Sequence, residues 1–282
     1  YDYRLSRTHL HKDDKILLSW NGWVMIGLAQ AGLVLDEPDY LNAAIRIHQF
    51  IESKMTTKDD RLYLRYRDGD AAHVGQLDDY AVYTLALLEL YQTTLDADYL
   101  QKAIHRANQM MELFEDQEQG GYFMTASDGE LLIARPKETY DGAVPSGNSV
   151  AAMVLQQLAS LTGELKWQEA AQRQMQFLAD KISAYPASSC FGMLSMMDAL
   201  YPHRELVCAA RNEVPAELLA YLREHPADDL HIILKTAENE DLLNQCALFT
   251  ADYPIPKQGM MYYLCEDGAC KAPVSDFSKL NL

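Results

Sequence analysis

The chain has 282 residues, of which 49% are hydrophobic and 23% are charged, and its formal net charge at pH 7 is −17. This composition is that of a folded globular protein, and the length suits one large domain or a domain with an appendage. The 41 acidic groups outnumber the 24 basic groups, so repulsion of phosphates argues against nucleic acid as a partner. No apolar run reaches the roughly 18 residues that span a bilayer, so no membrane association is predicted.

The cysteines and the first residues indicate the compartment. Residues 1–10 mix charged and polar side chains and do not form a secretory signal peptide. The five cysteines are an odd number without the dense spacing of a disulfide framework, which predicts reduced thiols in a cytoplasmic protein. Four residues separate Cys265 from Cys270, more than in a zinc or redox pair, and no metal site or cofactor is predicted.

The first predicted elements are two helices of different character. Residues 21–31 leave almost no polar face, which is typical of a buried helix. After a break at Pro38, a helix beginning at Asp39 places apolar residues on one side only, so its other side faces water. The sequence therefore predicts an inner helix paired with an outer helix.

This pair recurs twice along the chain. The apolar stretches 81–91 and 150–161 are each followed by an amphipathic stretch, 98–114 and 166–178. The registers agree, because Tyr40 and Tyr99 are 59 positions apart and a shift of 68 carries Tyr99 to Trp167. Three copies of one helical hairpin are predicted.

The connectors between the repeats carry turn signals. Residues 61–66 precede Asp68-Gly69, and residues 121–124 precede Asp128-Gly129 and the apolar run 131–133. Strand-forming residues around an Asp-Gly pair are typical of a β-hairpin. We expect each outer helix to return to the next inner helix through a small hairpin, and the hairpins to stand together at one end of a helical ring.

A further helix is predicted over 191–200, and beyond it the pattern changes. Strands are predicted at 206–209, 231–234 and 260–265, with helices at 216–224 and 240–248 between them. Alternating strands and helices indicate a small parallel α/β unit. The predicted organisation is a mainly α chain, with a partial α/α toroid over 1–201 and an α/β appendage over 202–282.

Acidic side chains gather where the chain enters the inner helices. Glycosidic-bond chemistry uses two carboxyl groups roughly 5 to 10 Å apart, and Asp79 and Asp141 are the predicted pair, with Asp78 and Glu138 as substitutes. The alternative is structural, since Asp78 and Asp79 occupy positions where acids cap a helix and Asp141 can form a turn before a glycine. His73, in the loop before the second inner helix, is the candidate histidine for acid–base work, although a lone loop histidine is also typical of a solvated surface.

Ligand-binding candidates are expected around the same mouth. Aromatic rims stack on sugar rings, amides bind hydroxyl groups, and Arg135 or Lys137 could bind a carboxylate or phosphate. The two cations could equally neutralise the acids of their own loop. The predicted substrate-binding residues are Trp20, Asn21, Tyr80, Arg135, Lys137, Tyr140 and Asn148.

Long motifs in a fixed order carry a family resemblance. They are Ser19-Trp20-Asn21-Gly22, Leu77-Asp78-Asp79-Tyr80, Gly120-Gly121-Tyr122-Phe123, Arg135-Pro136-Lys137-Glu138 and Pro145-Ser146-Gly147-Asn148. This order resembles the later part of the spermatogenesis-associated-protein-20-like, thioredoxin-domain-containing family. The resemblance implies a toroid of the six-hairpin glycosidase kind, akin to N-acylglucosamine 2-epimerases, preceded by a thioredoxin-like domain. We expect that domain and the first hairpins to lie outside these residues, so that about half a toroid is present.

Two kinds of function are expected, the first from the polar entries to the inner helices and the fold resemblance, the second because no complete catalytic signature is present. The first is a carbohydrate-directed cleft that hydrolyses or isomerises a sugar or polyol with paired carboxylates. The second is a non-catalytic interaction module that partners a thioredoxin-like domain. Half a ring leaves inner-helix surface uncovered, so we expect a homo-oligomer or the missing N-terminal domains to cover it.

Overall fold

The computed structural model describes residues 1–8, 10, 12–130, 132–201, 204–211, 214–226, 230–266, 269–280 and 282. The helices of the described chain are α1 Asp2–Leu5, α2 Leu18–Val34, α3 Pro38–Lys54, α4 Leu77–Thr94, α5 Ala97–Phe114, α6 Gly147–Thr162, α7 Leu165–Ala184, α8 Cys190–Leu200, α9 Ala216–Glu224 and α10 Glu240–Cys246. The strands are β1 Ile16–Leu17, β2 Tyr63–Arg67, β3 Asp70–Val74, β4 Arg204–Ala210, β5 Leu230–Lys235, β6 Met260–Glu266 and β7 Ala269–Cys270. The mainly α class predicted from the sequence is confirmed.

The helices form three hairpins around a row of inner helices. Helices α2, α4, α6 and α8 pack side by side in chain order, and α3, α5 and α7 each pack against the inner helix that precedes them. Helix α4 lies in the middle of the row and is buried along nearly its whole length, as its apolar sequence requires. The row curls, because the rings of Trp23 on α2 and Phe191 on α8 touch, with centroids 5.7 Å apart.

Local signals explain where these helices begin and end. Pro38 opens α3, where a missing amide hydrogen costs nothing. The side chain of Asp96 caps α5 by accepting a bond of 3.0 Å from the Asp98 amide. Gly163 ends α6 in a left-handed conformation with φ of +65°, which a glycine adopts without strain.

Among the described residues, only the first connector contains the expected hairpin. Strands β2 and β3 pair antiparallel through Asp68-Gly69, both with positive φ, and β1 adds to the edge of β2. The hairpin expected between α5 and α6 is wrong: the described residues there contain only an isolated bridge between Glu115 and Tyr122, and Leu131 lies outside the described residues. Two consecutive positive φ values, at Gly120 and Gly121, turn the chain away from strand geometry there.

The C-terminal unit is a mixed sheet with two helices. Its strand order is β5-β4-β6-β7, with β4 parallel to β5 and antiparallel to β6, so the expectation of a purely parallel unit is wrong for β6. A 3-10 segment, Leu248–Asp252, and two prolines lead into β6, and the chain enters β6 in the opposite direction to β4. Val207, Ile233 and Leu243 belong to the same buried core as the helices, so the unit packs directly on them.

Two of the five cysteines are joined. Cys265 and Cys270 face each other on β6 and β7 and form a disulfide, so the expectation of reduced thiols is wrong for this pair. Antiparallel pairing brings opposite side chains together whatever their separation in sequence. Cys190 is a free, exposed thiol, whereas Cys208 and Cys246 are free and buried. Among the described helices none combines the length and apolarity that crossing a bilayer requires.

Candidate functional site

Asp79 connects the first turns of α4 and α2. Its Oδ2 accepts the Gln76 amide at 2.9 Å, closing a capping box, and its Oδ1 accepts the Ser19 amide at 3.1 Å. Burial raises the pKa of Asp79 to about 7, although both amide bonds oppose that shift. The side chain is therefore part of the joint between two helices.

Asp78 connects α4 to α6 in a similar way. Its carboxyl group interacts with the backbone amide of Gly147, the first residue of α6. Burial raises the pKa of Asp78, and the nearby charge of Glu138 raises it further. Glu138 is exposed, and its Oε1 accepts the amides of Thr139 and Tyr140 at 3.0 and 2.8 Å. These two carboxyl groups lie close enough to interact and have different surroundings.

Asp141 connects the start of α6 to the start of α8. Its Oδ1 accepts the Ser146 amide at 2.8 Å, and its Oδ2 accepts the amides of Phe191 and Gly192 at 2.8 and 3.0 Å. The Ser149 hydroxyl donates a further bond of 3.2 Å to Oδ2. Asp141 thus closes a loop and holds two helix ends.

These bonds change the roles expected for the acids. Asp79 binds amides of α2 and α4, whereas Asp141 binds amides around α6 and α8, and the two share no hydrogen-bond partner. The structural alternative, a helix cap for Asp79 and a turn for Asp141, therefore accounts for the backbone amides that these two carboxylates bind. Asp78 and Glu138, expected only as substitutes, both lie beside the start of α6: Asp78 interacts with the Gly147 amide, and Asn148 binds the Glu138 carbonyl oxygen at 2.8 Å.

Two expected ligand-binding residues are buried instead. Tyr80 is fully buried, and its hydroxyl oxygen accepts the Leu62 amide and the Arg61 Nε, both at 3.1 Å. Asn148 is also fully buried, and its Nδ2 donates to the carbonyl oxygens of Tyr122 and Glu138 at 2.9 and 2.8 Å. The expectation that these two side chains bind substrate is wrong, because the polar atoms of each form hydrogen bonds to a connector between helices.

Arg135 and Lys137 bind partners other than the acids of the mouth. The Arg135 guanidinium lies 4.2 Å from the centre of the Phe123 ring and donates to the Thr125 carbonyl. Lys137 Nζ pairs with Asp116 at 2.5 Å. Both cations line an outer cavity whose other lining residues include Phe177 and Lys181 but not the mouth acids. Lys137 therefore neutralises an acid, as the alternative expected, but that acid, Asp116, belongs to another loop.

Three of the four remaining candidates are exposed. Trp20 follows the amide that binds Asp79 and is 61% exposed, and Tyr140 is 60% exposed two residues after Glu138. Asn21 is half-buried and its Nδ2 donates to the Leu17 carbonyl at 2.8 Å, which closes the first turn of α2. His73 is exposed on β3 with a φ of +60°. Within the described ranges no three His, Cys, Asp or Glu side chains cluster as metal ligands would.

Sequence reasoning missed Gly147. A β-carbon there would approach the Cγ of Leu77 to 2.7 Å and would also meet the Asp78 carboxyl group. The missing side chain therefore lets the start of α6 approach the start of α4 closely. A glycine directly after the capping residue Ser146 was the signal in the sequence.

Sequence comparison identifies relatives over nearly the whole chain. No family model matches it. Spermatogenesis-associated protein 20 from Homo sapiens is 26% identical over 292 aligned residues, which cover 98% of this chain and 37% of that protein. An uncharacterised protein from Caenorhabditis elegans is 26% identical over 99% of the chain and 39% of its own length. The chain thus spans little more than a third of the curated relatives it matches.

Structural comparison concerns the fold. A GH76 alpha-mannanase from Bacteroides thetaiotaomicron superposes with a TM-score of 0.54 at 19% identity, covering 68% of this chain and 54% of that one. Cellobiose 2-epimerase from Bacillus thermoamylovorans superposes with a TM-score of 0.52 at 15% identity, covering 62% and 47%. The expected incomplete toroid with a small α/β unit is confirmed. The chain is thus similar along nearly its whole length to spermatogenesis-associated protein 20, and its helices have the α/α toroid fold of these sugar enzymes.

Proposed function

We propose that the mouth of the inner helices is a carbohydrate-directed acid–base site in which Asp78 and Glu138 are the catalytic carboxyl groups. The observation that carries this proposal is that both acids lie at the start of α6, where the half-buried Asp78 meets Gly147 and the exposed Glu138 lies on the connector that Asn148 binds. Pairs of carboxyl groups in unlike surroundings divide the roles of acid and base. The expected Asp79–Asp141 pair is replaced because both oxygens of each of these carboxylates bind backbone amides, whereas the amides that Glu138 accepts all bind its Oε1.

The chemistry follows from the two surroundings. Burial and the neighbouring charge raise the pKa of Asp78, so this carboxyl group holds a proton longer and acts as the acid. In hydrolysis it would protonate the leaving oxygen while Glu138 takes a proton from the attacking water. In isomerisation the same pair would remove and return a proton beside the sugar carbonyl. Trp20 and Tyr140 offer exposed rings on which a sugar can stack.

The names of the structural neighbours support the substrate class. One is an alpha-mannanase and another is a cellobiose 2-epimerase, so a mannose-containing or glucose-containing oligosaccharide is the first candidate. Their likeness to this chain is one of fold, and the proposal rests on the acids at the mouth.

The test compares isosteric variants on two sugars. The chain is incubated with α-linked manno-oligosaccharides and with cellobiose, and products are followed by chromatography. Asp78→Asn and Glu138→Gln keep an oxygen that can accept the local amides, and each is expected to lower turnover by at least about a hundredfold. Glu118→Gln, which removes an exposed acid elsewhere, is the matched control. Turnover that survives both mouth substitutions, or no turnover of either sugar by the unmodified chain, would refute the proposal.

A second candidate function rests on a different observation. Helix α2 exposes two apolar residues one turn apart, Trp20 and Val24, which are 61% and 50% exposed, and Leu35 directly after the helix is 64% exposed. Contiguous exposed apolar surface is typical of an interface. We infer that a second copy of the chain covers these residues. Light scattering at micromolar concentration should give a dimer that Val24→Glu dissociates, and a monomeric unmodified chain would contradict the inference.

A further inference from the structure

A small cavity lies well away from the mouth, further along the inner helices. Its volume is 150 Å³, and it is lined by residues of α2, α4 and α6 and by residues of α9, β5 and the loop between them. Glu89 of its wall follows Asp78 by eleven residues on α4, which at the helical rise places it roughly 16 Å from that acid. The volume suits a small molecule, since pockets for drug-sized ligands begin at about 300 Å³.

Polar side chains at equivalent positions of the three repeats line this cavity. The shift of 59 that relates the first two hairpins carries Gln30 to Glu89, and the shift of 68 carries Glu89 to Gln157. Beyond their first turns, the inner helices α2, α4 and α6 contain Glu89 as their single charged residue. Each of these largely apolar helices thus presents one polar side chain from the same repeat position to one cavity.

Acceptor oxygens are left over in this group. Glu89 Oε1 accepts the Gln30 Nε2 at 2.8 Å. Among the described residues, Glu89 Oε2, Gln30 Oε1 and the Gln157 amide have no hydrogen-bond partner, and none of these atoms belongs to the fully buried unpaired ones, so each keeps accessible surface. The neighbouring Gln92 differs, because its amide pairs with the backbone of Ile232 through two bonds of 3.2 Å.

Glu89 is a costly choice for a purely structural bond. A glutamine would accept the same hydrogen bond from Gln30 without carrying a charge into a buried site. Burial raises the pKa of Glu89 to about 7, against the lowering effect of the Gln30 bond. None of the described lining residues is a lysine or an arginine. The carboxylate therefore lacks a cationic partner on the described walls of the cavity.

We propose that this cavity binds a small primary ammonium ligand, with Glu89 as its counter-charge. An ammonium group has three N–H donors and no acceptor. The matching acceptors are Glu89 Oε2, Gln30 Oε1 and Gln157 Oε1. Aliphatic side chains on the wall, including Leu33 and Leu88, can hold a short alkyl chain. The site shares no lining residue with the acids of the mouth, so it is independent of the chemistry proposed there.

The other groups around Glu89 act in the same direction when the pH changes. The amides of α2, α4 and α6 and the Tyr221 hydroxyl carry no charge near neutral pH. His225 after α9 and His231 on β5 gain positive charge in acid, which would repel an ammonium ligand. Protonation of Glu89 would remove the counter-charge. Acidification is therefore expected to weaken binding.

Calorimetric titration of the whole chain with three probes tests the site. The probes, at one ionic strength, are n-butylammonium, butyltrimethylammonium, which keeps the charge but has no N–H donor, and 1-butanol, which keeps the alkyl chain without the charge. At pH 8 we expect a dissociation constant of about 1 mM for n-butylammonium and at least about tenfold weaker binding of the others. Similar affinities for the two cations would show attraction to an acidic surface only and would overturn the proposal, as would no binding of n-butylammonium.

The pH dependence of the same titration tests the counter-charge. With a pKa of about 7, Glu89 is mostly protonated at pH 6 and must lose that proton to pair with the ammonium group. The affinity for n-butylammonium should therefore be about tenfold weaker at pH 6 than at pH 8. The heat at pH 6 should also vary with the ionisation enthalpy of the buffer, because protons are released on binding. Equal affinities at the two pH values would contradict the proposal.

Two variants with matched controls complete the test. Glu89→Gln keeps an acceptor for Gln30 and should bind n-butylammonium at least about tenfold more weakly, whereas Glu112→Gln, on the exposed side of α5, should bind normally. Gln157→Leu removes one acceptor and should weaken binding about fivefold, with the exposed exchange Gln101→Leu as its control. Unchanged affinity in either Glu89→Gln or Gln157→Leu would overturn the proposal.

Discussion

The carboxylate of Asp141 accepts the backbone amide of Phe191 at 2.8 Å, which ties the connector before α6 to the first turn of α8. The same carboxylate closes its own loop on the Ser146 amide, also at 2.8 Å. Unpaired amides at a helix start carry partial positive charge, so an acid placed there is stabilised. One side chain therefore positions two inner helices that are not adjacent in sequence.

Asp141→Asn should destabilise the protein strongly, although it replaces only one oxygen by an amide nitrogen. An amide has only one acceptor oxygen, so whichever way it turns, at least one backbone donor loses its partner. We expect a loss of about 2 to 3 kcal/mol in the free energy of unfolding, measured by urea titration. Asp180→Asn removes an exposed acid of α7 and should change that value by less than about 0.5 kcal/mol. Equal effects of the two variants would contradict the bridging role.

Gly147→Ala and Gly27→Ala should have opposite effects. Both positions are helical, where alanine is intrinsically favoured over glycine by about 1 kcal/mol. At Gly147 the new methyl group would approach the Leu77 Cγ to 2.7 Å and press on Asp78, so a net loss of about 1 to 3 kcal/mol is expected. At Gly27 no atom lies within 4 Å, so the propensity gain remains. Thermal unfolding of both variants would show a lower and a higher midpoint, and two shifts of the same sign would refute this account.

Glu89→Gln should change how stability depends on pH. Burial raises the pKa of Glu89 from 4.5 to about 7, and the Gln30 amide donates to its Oε1 at 2.8 Å. Between these two pH values the folded state keeps a proton that the unfolded state has lost. Stability therefore falls as pH rises through this window, by up to about 1.4 kcal/mol per pH unit from this group.

The glutamine variant keeps the acceptor and removes the titration. Relative to the unmodified chain, its free energy of unfolding should be higher by about 3 kcal/mol at pH 8 and unchanged at pH 4, as measured by urea titration. The unfolding free energy of this variant should still fall somewhat as pH rises, since burial also raises the pKa of Asp79 to about 7. Glu112→Gln, on the exposed side of α5, is the control and should leave the pH profile unchanged.

Asn148→Asp should loosen the connector that carries Glu138. The new carboxylate would turn an oxygen toward the Tyr122 and Glu138 carbonyls, where the amide now donates bonds of 2.9 and 2.8 Å. We expect a loss of about 3 kcal/mol in unfolding free energy, because a buried charge faces two acceptors. Asn108→Asp, an exposed exchange on α5, should be nearly neutral. A variant as stable as the control would show that Asn148 does not hold the connector.

The helical architecture was predictable because it depends on periodic burial. The stretch 81–91 is strongly apolar, and it lies in α4, which packs against α2, α5 and α6. The Asp68-Gly69 turn likewise predicted its hairpin correctly. The path of the connector 115–146 was harder to predict. It is fixed by hydrogen bonds from distant side chains such as Asn148, and not by a ladder of backbone hydrogen bonds between neighbouring strands.

The candidate site was predictable in place but not in detail. Sequence placed acids at the entries to the inner helices, and the acids lie there. The role of each acid depends on which backbone amides its carboxyl group binds in the folded chain. Asp78 and Asp79 are neighbours in sequence, yet one faces Gly147 and the other faces Ser19, a difference that only the packed helices define. The disulfide was missed for the same reason, since strand pairing brings Cys265 to Cys270.

The central place of α4 has a consequence for the protein's motions. Its backbone amides are sealed between α2, α5 and α6, so their exchange with solvent deuterons requires the hairpins to separate. Helix α2 has one open side, and its first turn is held from across the row by Asp79. Deuterium should therefore enter α2 earlier than α4, and the slowest-exchanging amides of the chain should mark the helix around which the molecule folds.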